Sequence, residues 1–332
     1  MTSHTCDSWY RTWVNIVPAA DFANDTVMNI YDGRMHTESV NDQTNLSVKG
    51  QIPQAKHTYA FLDTAYPCLN EKQLAMGETT ISGRDTLRNA KGMFMIEELA
   101  RVALQRCTTA REAIQLMGKL VKEYGYGDSG ECLTIADPKE VWHFEIFGEG
   151  PDQIGGVCTL NLKDTDHYMA SENVFSVAKK LKLWDGKEPF KFWKVYGGPN
   201  YFGKMQAFSI REFFILSTLA PSLKLSMDDE ELPLSVKPEK KISNADVMAY
   251  LRQTYEGTEW SVTKNLKVAV KDRKTGKTDT ITSPRANPWM RTDEVQLYNA
   301  LQKGSVTANR NVAVPQCAYS TVIQLRSWLP DA

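Results

Sequence analysis

The sequence predicts a mixed α/β (α+β) fold in which helices cover sheets. Three observations lead to this class. Short β-rich segments fill the first 62 residues, two amphipathic helices follow, and two further strands come directly after the helices. Elements grouped into such blocks are typical of layered sandwiches. Hydrophobic residues at 42% and charged residues at 24% match an ordinary globular protein of one large or two small domains.

The first strands follow from β-branched and aromatic residues between turn signals. We expect them over residues 11–17, 26–31 and 57–62. The pair Asp32-Gly33 indicates a turn, and the polar stretch 41–50 is expected to be an exposed loop. Alternation of apolar and polar residues over 73–79 predicts a further strand.

The two central helices are predicted over residues 94–107 and 109–124, where apolar residues recur at helical spacing. Thr109 and Glu112 have the spacing of a capping box at the start of the second helix. Gly125 is expected to end that helix.

The elements after the second helix are predicted in the same way. Strands are expected over 132–136 and 141–147, helices over 172–183, 209–219, 243–253 and 293–302, a hairpin over 268–282, and β-rich chain over 311–325. The segment 226–241 is charged and contains proline, so it is expected to be a connector.

Composition excludes several functional classes. The net charge is −1, which implies no nucleic-acid or anionic-membrane partner. No apolar run approaches the roughly 20 residues of a membrane span, and the N-terminus has no signal-peptide pattern. The cytoplasm is therefore the default location, with a lost upstream signal left open. The six cysteines are scattered singly, which predicts no metal site and no cofactor; they are Cys6, Cys68, Cys107, Cys132, Cys158 and Cys317.

The richest motif runs from residue 70 to residue 85, as Asn-Glu-Lys-Gln-Leu-Ala-Met-Gly-Glu-Thr-Thr-Ile-Ser-Gly-Arg-Asp. It places several hydroxyls and charges just past a strand. Such groups face a cleft or cap a following helix, and composition alone leaves both interpretations open.

This motif resembles the Asn-Glu-x-x-Leu-Ala-x-x-Glu-Thr-Thr segment of the C69 dipeptidases, which are cysteine-type N-terminal-nucleophile hydrolases. Further stretches resemble the same family, at residues 1–7, 124–131, 135–142, 255–258 and 326–331. The resemblance implies a four-layer α/β/β/α core and hydrolysis of a dipeptide amide bond through a thioester. The resemblance also implies one catalytic domain in two parts. Residues 1–165 are expected to form the first part of the core, and residues 166–332 are expected to form the helical and β-rich remainder together with an extension.

The catalytic residues are expected near the N-terminus. In this family the attacking thiol belongs to the first residue of the mature chain, whose α-amine has an unperturbed pKa of about 7.7–8.0 and carries the proton. The resemblance implies that this cysteine lies upstream of residues 1–7, so we expect little activity from the 332 residues alone. Cys6 is a substitute nucleophile only if the five residues before it are trimmed. Asp7 matches an aspartate that contacts the nucleophile's amine, and His4 stands where many relatives have arginine or lies on the surface.

The substrate-binding residues are expected in the main motif. Glu78 and Thr79 lie where related enzymes line the substrate pocket. Arg84 suits a dipeptide carboxylate, because guanidinium groups bind carboxylates through two hydrogen bonds, but a salt bridge on a capping loop explains it equally well. Asn70 opens the motif and completes the predicted set, although it also suits a turn.

The chain departs from the family pattern after Cys158. Relatives continue there with Arg-Ile-Pro-Asp and later His-Ala-Asn, whose asparagine helps form the oxyanion hole, whereas this chain runs directly into Thr159. Loss of one oxyanion donor costs about 100–1000-fold in rate. The chain also stops at Ala332, short of the family's usual continuation. We interpret the sequence as incomplete; a non-catalytic binding module of the same fold is the competing interpretation, and homo-oligomerisation is left open.

A serine-protease function is rejected. Gly127-Asp-Ser-Gly130 is similar to the motif of those enzymes, but Glu131 replaces its final glycine and the helix-then-strand context differs from their barrels.

Overall fold

The computed structural model describes residues 1–7, 10–39, 41–150, 156–161, 167–168, 174–198, 207–307 and 309–329. The chain divides into two compact units. The first unit comprises Met1–Ala207 and Ala318–Ala332, and the second comprises Phe208–Cys317. The predicted division at residues 165 and 166 concerns parts of one catalytic domain and stays a prediction.

The strands in chain order are β1 (Thr2–Asp7), β2 (Asn15–Val17), β3 (Ala20–Asp21), β4 (Val27–Asp32), β5 (Ser47–Pro53), β6 (His57–Thr58), β7 (Phe61–Asp63), β8 (Leu69–Asn70), β9 (Ala75–Ser82), β10 (Gly130–Ala136), β11 (Val141–Phe147), β12 (Gly156–Asn161), β13 (His167–Tyr168), β14 (Lys267–Lys271), β15 (Thr278–Thr282) and β16 (Cys317–Ile323). The helices are α1 (Ile96–Arg106), α2 (Ala110–Tyr124), α3 (Val174–Lys180), α4 (Phe192–Val195), α5 (Ile210–Leu219), α6 (Asn244–Leu251) and α7 (Thr292–Leu301).

An eight-stranded sheet forms the centre of the first unit. Its strand order is β13-β12-β11-β10-β9-β8-β7-β2. All paired neighbours run antiparallel. The longest strands, β9, β10 and β11, are adjacent, so their register decides which side chains share a face.

The two central helices pack on this sheet. α2 contacts β10 and β11, while α1 contacts α2 and the short strands β6, β7 and β8. The predicted capping box of α2 is confirmed: the Thr109 hydroxyl accepts from the Glu112 backbone N–H, and the Glu112 side chain accepts from the Thr109 backbone. Gly125 ends the helix with a φ of 81°, a value that favours glycine.

Strand β1 pairs with β16 and lies against β9. Gly77 of β9 permits this approach. A Cβ atom at residue 77 would lie 3.1 Å from the backbone oxygen of Ser3 and 3.3 Å from the Cβ of His4. The absence of a side chain at this position therefore brings the N-terminal strand next to the strand that carries the main motif.

The second unit contains α5, α6, α7 and the β14–β15 hairpin. Its aromatic side chains pack together, with the rings of Phe213 and Trp260 5.3 Å apart. The predicted hairpin turn is confirmed, because Asp272 and Lys277 close it through a backbone hydrogen bond of 2.8 Å. α6 begins with a second capping box, in which Ser243 and Asp246 exchange hydrogen bonds.

One element was predicted wrongly. Residues 41–50 were expected to be a loop, but Ser47–Pro53 forms β5 and pairs with β4. Most of β5 is exposed or half-buried, so its polar composition resembles a loop while its backbone completes a hairpin. Ile52 is its one buried residue.

The fold belongs to the mixed helix-and-strand class that the sequence predicts. The helices predicted over 94–107, 109–124, 209–219 and 293–302 are each confirmed within a few residues at their ends. Within the described residues, every helix is too short or too polar to cross a membrane.

Candidate active site

A histidine of β1 meets a glutamate of β9 inside the first unit. His4 Nε2 lies 3.5 Å from Glu78 Oε2, and both side chains are almost fully buried. The contact follows from the packing of β1 on β9 at Gly77. Two stretches that are far apart in the sequence, residues 1–7 and 70–85, therefore meet at one point.

A second glutamate completes this contact. Glu78 lies opposite Leu133, and Glu131 lies opposite Thr80, so both glutamates occupy the same face of β9 and β10. Their carboxyl groups are within hydrogen-bonding reach of each other. We call Glu78 and Glu131 the carboxyl pair. Since a carboxylate cannot donate, a hydrogen bond between the two carboxyl groups needs a proton on one of them.

The surroundings decide which glutamate holds that proton. Burial alone would raise the pKa of Glu78, but hydrogen bonds with His4 and Glu131 bring it below its usual value. Burial, reinforced by the nearby Glu78, raises the pKa of Glu131 to about 11. At neutral pH the pair therefore consists of an ionised Glu78 and a protonated Glu131.

Two further acids lie close to the carboxyl pair. Asp128 Oδ2 accepts a hydrogen bond of 3.4 Å from the backbone N–H of Ile96, the first residue of α1. Glu97 in the first turn of the same helix is completely buried, and burial raises its pKa well above the usual value. A helix N-terminus stabilises negative charge. All four acids act electrostatically on Tyr126, whose fully buried hydroxyl has no hydrogen-bond partner among the described residues.

Two hydroxyl groups cover the carboxyl pair. Thr80 is exposed, and its hydroxyl donates to Glu78 Oε1 at 3.1 Å. Ser129 is half-buried, and its hydroxyl donates to Glu131 Oε1 at 3.2 Å. Each hydroxyl thus stands between a buried acid and the outside.

Aromatic rings enclose His4. The rings of Tyr66 and Tyr319 approach it edge-on, with centroids 5.4 and 5.7 Å away. The Tyr319 hydroxyl accepts a hydrogen bond of 3.1 Å from the backbone N–H of Tyr66. Burial strongly raises the pKa of Tyr66, so its hydroxyl stays protonated. These contacts fix the imidazole beside Glu78.

The structure places the other predicted catalytic residues on the same strand. Cys6 is 2% exposed and belongs to the hydrophobic core. Asp7 ends β1 and is half-buried. Of the N-terminal residues, His4 makes the contact with the carboxyl pair. The catalytic roles expected for Cys6 and Asp7 stay predictions.

The predicted substrate-binding residues divide into two groups. Glu78 lies in the carboxyl pair, and Thr79 beside it is exposed. Arg84 instead donates to the backbone oxygens of Lys194 and Val195, at 2.7 Å each.

Asn70 has a structural environment. Its amide nitrogen donates to the backbone oxygens of Leu104 and Cys107, and its amide oxygen accepts from the backbone N–H groups of Lys72 and Leu74. All the usual bonds of a carboxamide are thereby made. These bonds suit a structural role, and the substrate-binding role expected for Asn70 stays a prediction.

Sequence reasoning missed Glu131, Asp128 and Ser129 as site residues. A signal was present, because Glu131 is an acid at the start of the apolar strand that continues as Cys-Leu-Thr-Ile-Ala. An acid in such a strand is buried, and a buried acid needs a partner. Its spatial relation to Glu78 depends on the β9–β10 register, which the sequence does not specify.

No group of three or more metal-binding side chains occurs within the part of the chain that the structure describes. Cys68, Cys107 and Cys132 are buried free thiols, and their pKa values are raised, chiefly because of burial. A thiol with a raised pKa is a poor nucleophile at neutral pH.

Comparison with known proteins identifies the family. The sequence pattern of Peptidase family C69 matches residues 22–332. The chain belongs to peptidase family C69. The C69 chain is also similar to a protein named "Probable dipeptidase B" from Streptococcus pyogenes, at 29% identity over 57% of this chain and 41% of that protein.

Two further relatives have similar names. A "Probable dipeptidase" from Latilactobacillus sakei is 25% identical over 58% of the C69 chain and 44% of its own length. A "Probable dipeptidase" from Salmonella dublin is 27% identical over 49% of this chain and 41% of its own length. The similarity thus spans less than half the length of these curated relatives.

Proposed function

We propose that this C69 chain carries the substrate site of a cysteine-type dipeptidase, formed where β1 meets the β9–β10 edge. The observation that carries the proposal is the contact of His4 with the carboxyl pair. It joins two stretches that resemble the dipeptidase family, and the relatives named above are called dipeptidases. The substrate is a dipeptide, as those names suggest.

The chemistry proposed is attack by a cysteine thiolate on the amide carbon of the dipeptide. A tetrahedral oxyanion collapses to a thioester as the C–N bond breaks and the leaving amine takes a proton. The carboxyl-terminal amino acid departs first, and water then attacks the thioester to free the other amino acid. A free α-amine on the same cysteine transfers the protons, as its near-neutral pKa suits.

The attacking cysteine is proposed to lie outside the 332 residues. Cys6 sits within a strand at 2% exposure, which does not suit a nucleophile that must reach a substrate. Asp7 at the end of the same strand is proposed to contact the amine of the upstream cysteine. Glu78, with Thr79 beside it, is proposed to line the substrate pocket.

The fold proposed for the complete protein is the four-layer α/β/β/α sandwich. The α1–α2 pair on the eight-stranded sheet supplies one helical layer and one sheet. The β1–β16 pair, which lies against β9, is proposed to belong to the second sheet.

The test compares the 332-residue chain with the product of the complete reading frame on a panel of free dipeptides. We expect the complete product to release amino acids and to lose this activity after treatment with iodoacetamide, while the 332-residue chain stays at least 100-fold slower, because a nucleophile is missing.

Two results would contradict the proposal. One is a complete product that hydrolyses none of the panel, which would favour the binding-module interpretation. The other is burst release by the 332-residue chain that Cys6→Ala abolishes, which would assign the attack to Cys6.

A further inference from the structure

The hydroxyls of Thr80 and Ser129 have one feature in common. Each uses its single hydrogen to donate to an acid of the carboxyl pair, Thr80 to Glu78 and Ser129 to Glu131. A hydroxyl has one donor and two acceptor lone pairs. Because the hydroxyl hydrogen is donated to a buried acid, each oxygen can only accept hydrogen bonds from a ligand on the solvent side.

The charge behind these hydroxyls has a definite sign. The pKa of the nearly buried Glu78 is lowered, so this carboxylate is the negative group, whereas burial raises the pKa of the nearby Asp128. Arg88 is the cation that acts on Asp128, and the imidazole Nε2 of His4 lies 3.5 Å from Glu78 Oε2. The fully buried Tyr126 hydroxyl lies within the electrostatic reach of the same acids and has no partner among the described residues. Acceptor oxygens in front of a buried negative charge suit a cationic N–H donor.

We propose that Thr80 and Ser129 form the subsite that receives the α-ammonium group of the dipeptide. This inference rests on the dipeptidase function proposed above. An ammonium group has three N–H donors, which suit two hydroxyl acceptors and leave one for solvent or backbone. In this proposal the role of the Gly127-Asp-Ser-Gly130 stretch is to place Ser129 in the subsite, and the stretch has no serine-protease role.

The subsite predicts a preference for a free amino terminus. N-acetylation removes the positive charge and leaves one N–H, so an acetylated dipeptide cannot satisfy both hydroxyls. A hydrogen bond to a charged group accounts for about 10- to 100-fold in affinity. We expect L-alanyl-L-alanine to bind at least 10-fold more tightly than N-acetyl-L-alanyl-L-alanine.

The experiment measures both dissociation constants by isothermal titration calorimetry of the 332-residue chain. The variants are Thr80→Val, which keeps the shape of the side chain and removes the hydroxyl, Thr80→Ser, which keeps the hydroxyl, and Ser129→Ala. Thr280→Val is the matched control, because Thr280 is an exposed strand threonine of the β14–β15 hairpin in the second unit. Circular dichroism and thermal melting verify that each variant is folded.

We expect Thr80→Val and Ser129→Ala each to weaken binding of the free dipeptide about 10-fold and to leave the acetylated dipeptide unchanged. Thr80→Ser and Thr280→Val should bind like the wild type. A merely structural role would weaken both ligands equally, and that result would overturn the inference.

The two proposals fail differently. If the wild type binds free dipeptides while Thr80→Val and Ser129→Ala keep the free-over-acetylated ratio, the ammonium subsite is wrong and the dipeptidase function stands. If the wild type binds neither ligand, both proposals are wrong for this chain.

Discussion

Two buried groups of charged side chains in the first unit differ in how their charges are balanced. In the first group, Asp63 receives Arg11 at 2.7 Å and Arg34 at 2.5 Å, and Arg34 also contacts Glu98 at 2.8 Å. Glu98 in addition pairs with Arg101. We call this group the arginine network. In the second group, the carboxyl pair, an acid meets another acid.

The pKa values of one acid in each group, Asp63 and Glu131, shift in opposite directions. Burial would raise the pKa of Asp63, but the two guanidinium groups bring it below its usual value. The same burial acts on Glu131, where the neighbour is Glu78, and the pKa rises to about 11. In the arginine network, opposite charges keep every group ionised. In the carboxyl pair, Glu131 keeps a proton at neutral pH, although an isolated glutamate would lose it.

The comparison separates a structural role from a functional one. The arginine network joins β4, β7 and α1, since Glu98 also accepts a hydrogen bond of 3.1 Å from the backbone N–H of Tyr31. Strongly shifted pKa values cluster at functional sites. Structural ion pairs shift pKa values too, and what distinguishes the carboxyl pair is that burial and neighbouring acids are the largest causes of the shift on Glu131.

The largest expected effect comes from breaking the arginine network. Asp63→Ala leaves Arg11 and Arg34 without their shared carboxylate, and loss of one member of a buried ion pair costs roughly 3–5 kcal/mol. Chemical denaturation monitored by circular dichroism measures the free energy of unfolding. The control is Asp21→Ala, which removes an exposed pair with His57 and should cost less than about 1 kcal/mol. Equal losses in the two variants would mean that the arginine network stabilises the fold no more than an exposed ion pair.

A pH-dependent effect, smaller over any single pH unit, is expected for Glu131→Gln. The folded-state pKa of Glu131 is raised to about 11, while an unfolded glutamate has a pKa of about 4.3. The folded state therefore holds a proton that the unfolded state releases above about pH 4.3, and wild-type stability falls as the pH rises from there toward 11. Glutamine stays neutral and removes this decline.

The measurement is the free energy of unfolding of wild type and Glu131→Gln between pH 5 and 9. The difference should move in favour of the variant with rising pH, by at most about 1.4 kcal/mol per pH unit. Glu38→Gln alters an exposed carboxyl group and is the control that should follow the wild type. Parallel pH profiles for wild type and Glu131→Gln would mean that Glu131 is ionised in the folded protein.

Sequence reasoning predicted the parts of the fold that depend on local pattern. The helix pair, the capping box at Thr109 and the hairpin predicted over 268–282 follow from residues close together in the chain. The strand Ser47–Pro53 was missed because its stability comes from pairing with β4, and mostly exposed side chains carry no apolar signal.

The site was predictable in part. Glu78 and His4 were selected from motifs, and the structure brings them into contact. Glu131 and Thr80 were not, because their relation to Glu78 depends on strand register and on the packing of β1 at Gly77. Asn70 was selected from the same motif, yet its amide is fully used in bonds to the backbone. A motif marks a region, and side-chain direction within it decides which residues face a ligand.

The most direct test of the central claim is the affinity of the 332-residue chain for L-alanyl-L-alanine, compared between wild type and Glu78→Gln by calorimetric titration at pH 7. Glutamine keeps the size of Glu78 and one acceptor oxygen, replaces the other oxygen by an NH2 donor, and removes the charge behind Thr80. We predict binding at least 10-fold weaker for Glu78→Gln, with Glu38→Gln unchanged. Equal affinity of wild type and Glu78→Gln would contradict the claim that the carboxyl pair is part of the dipeptide site.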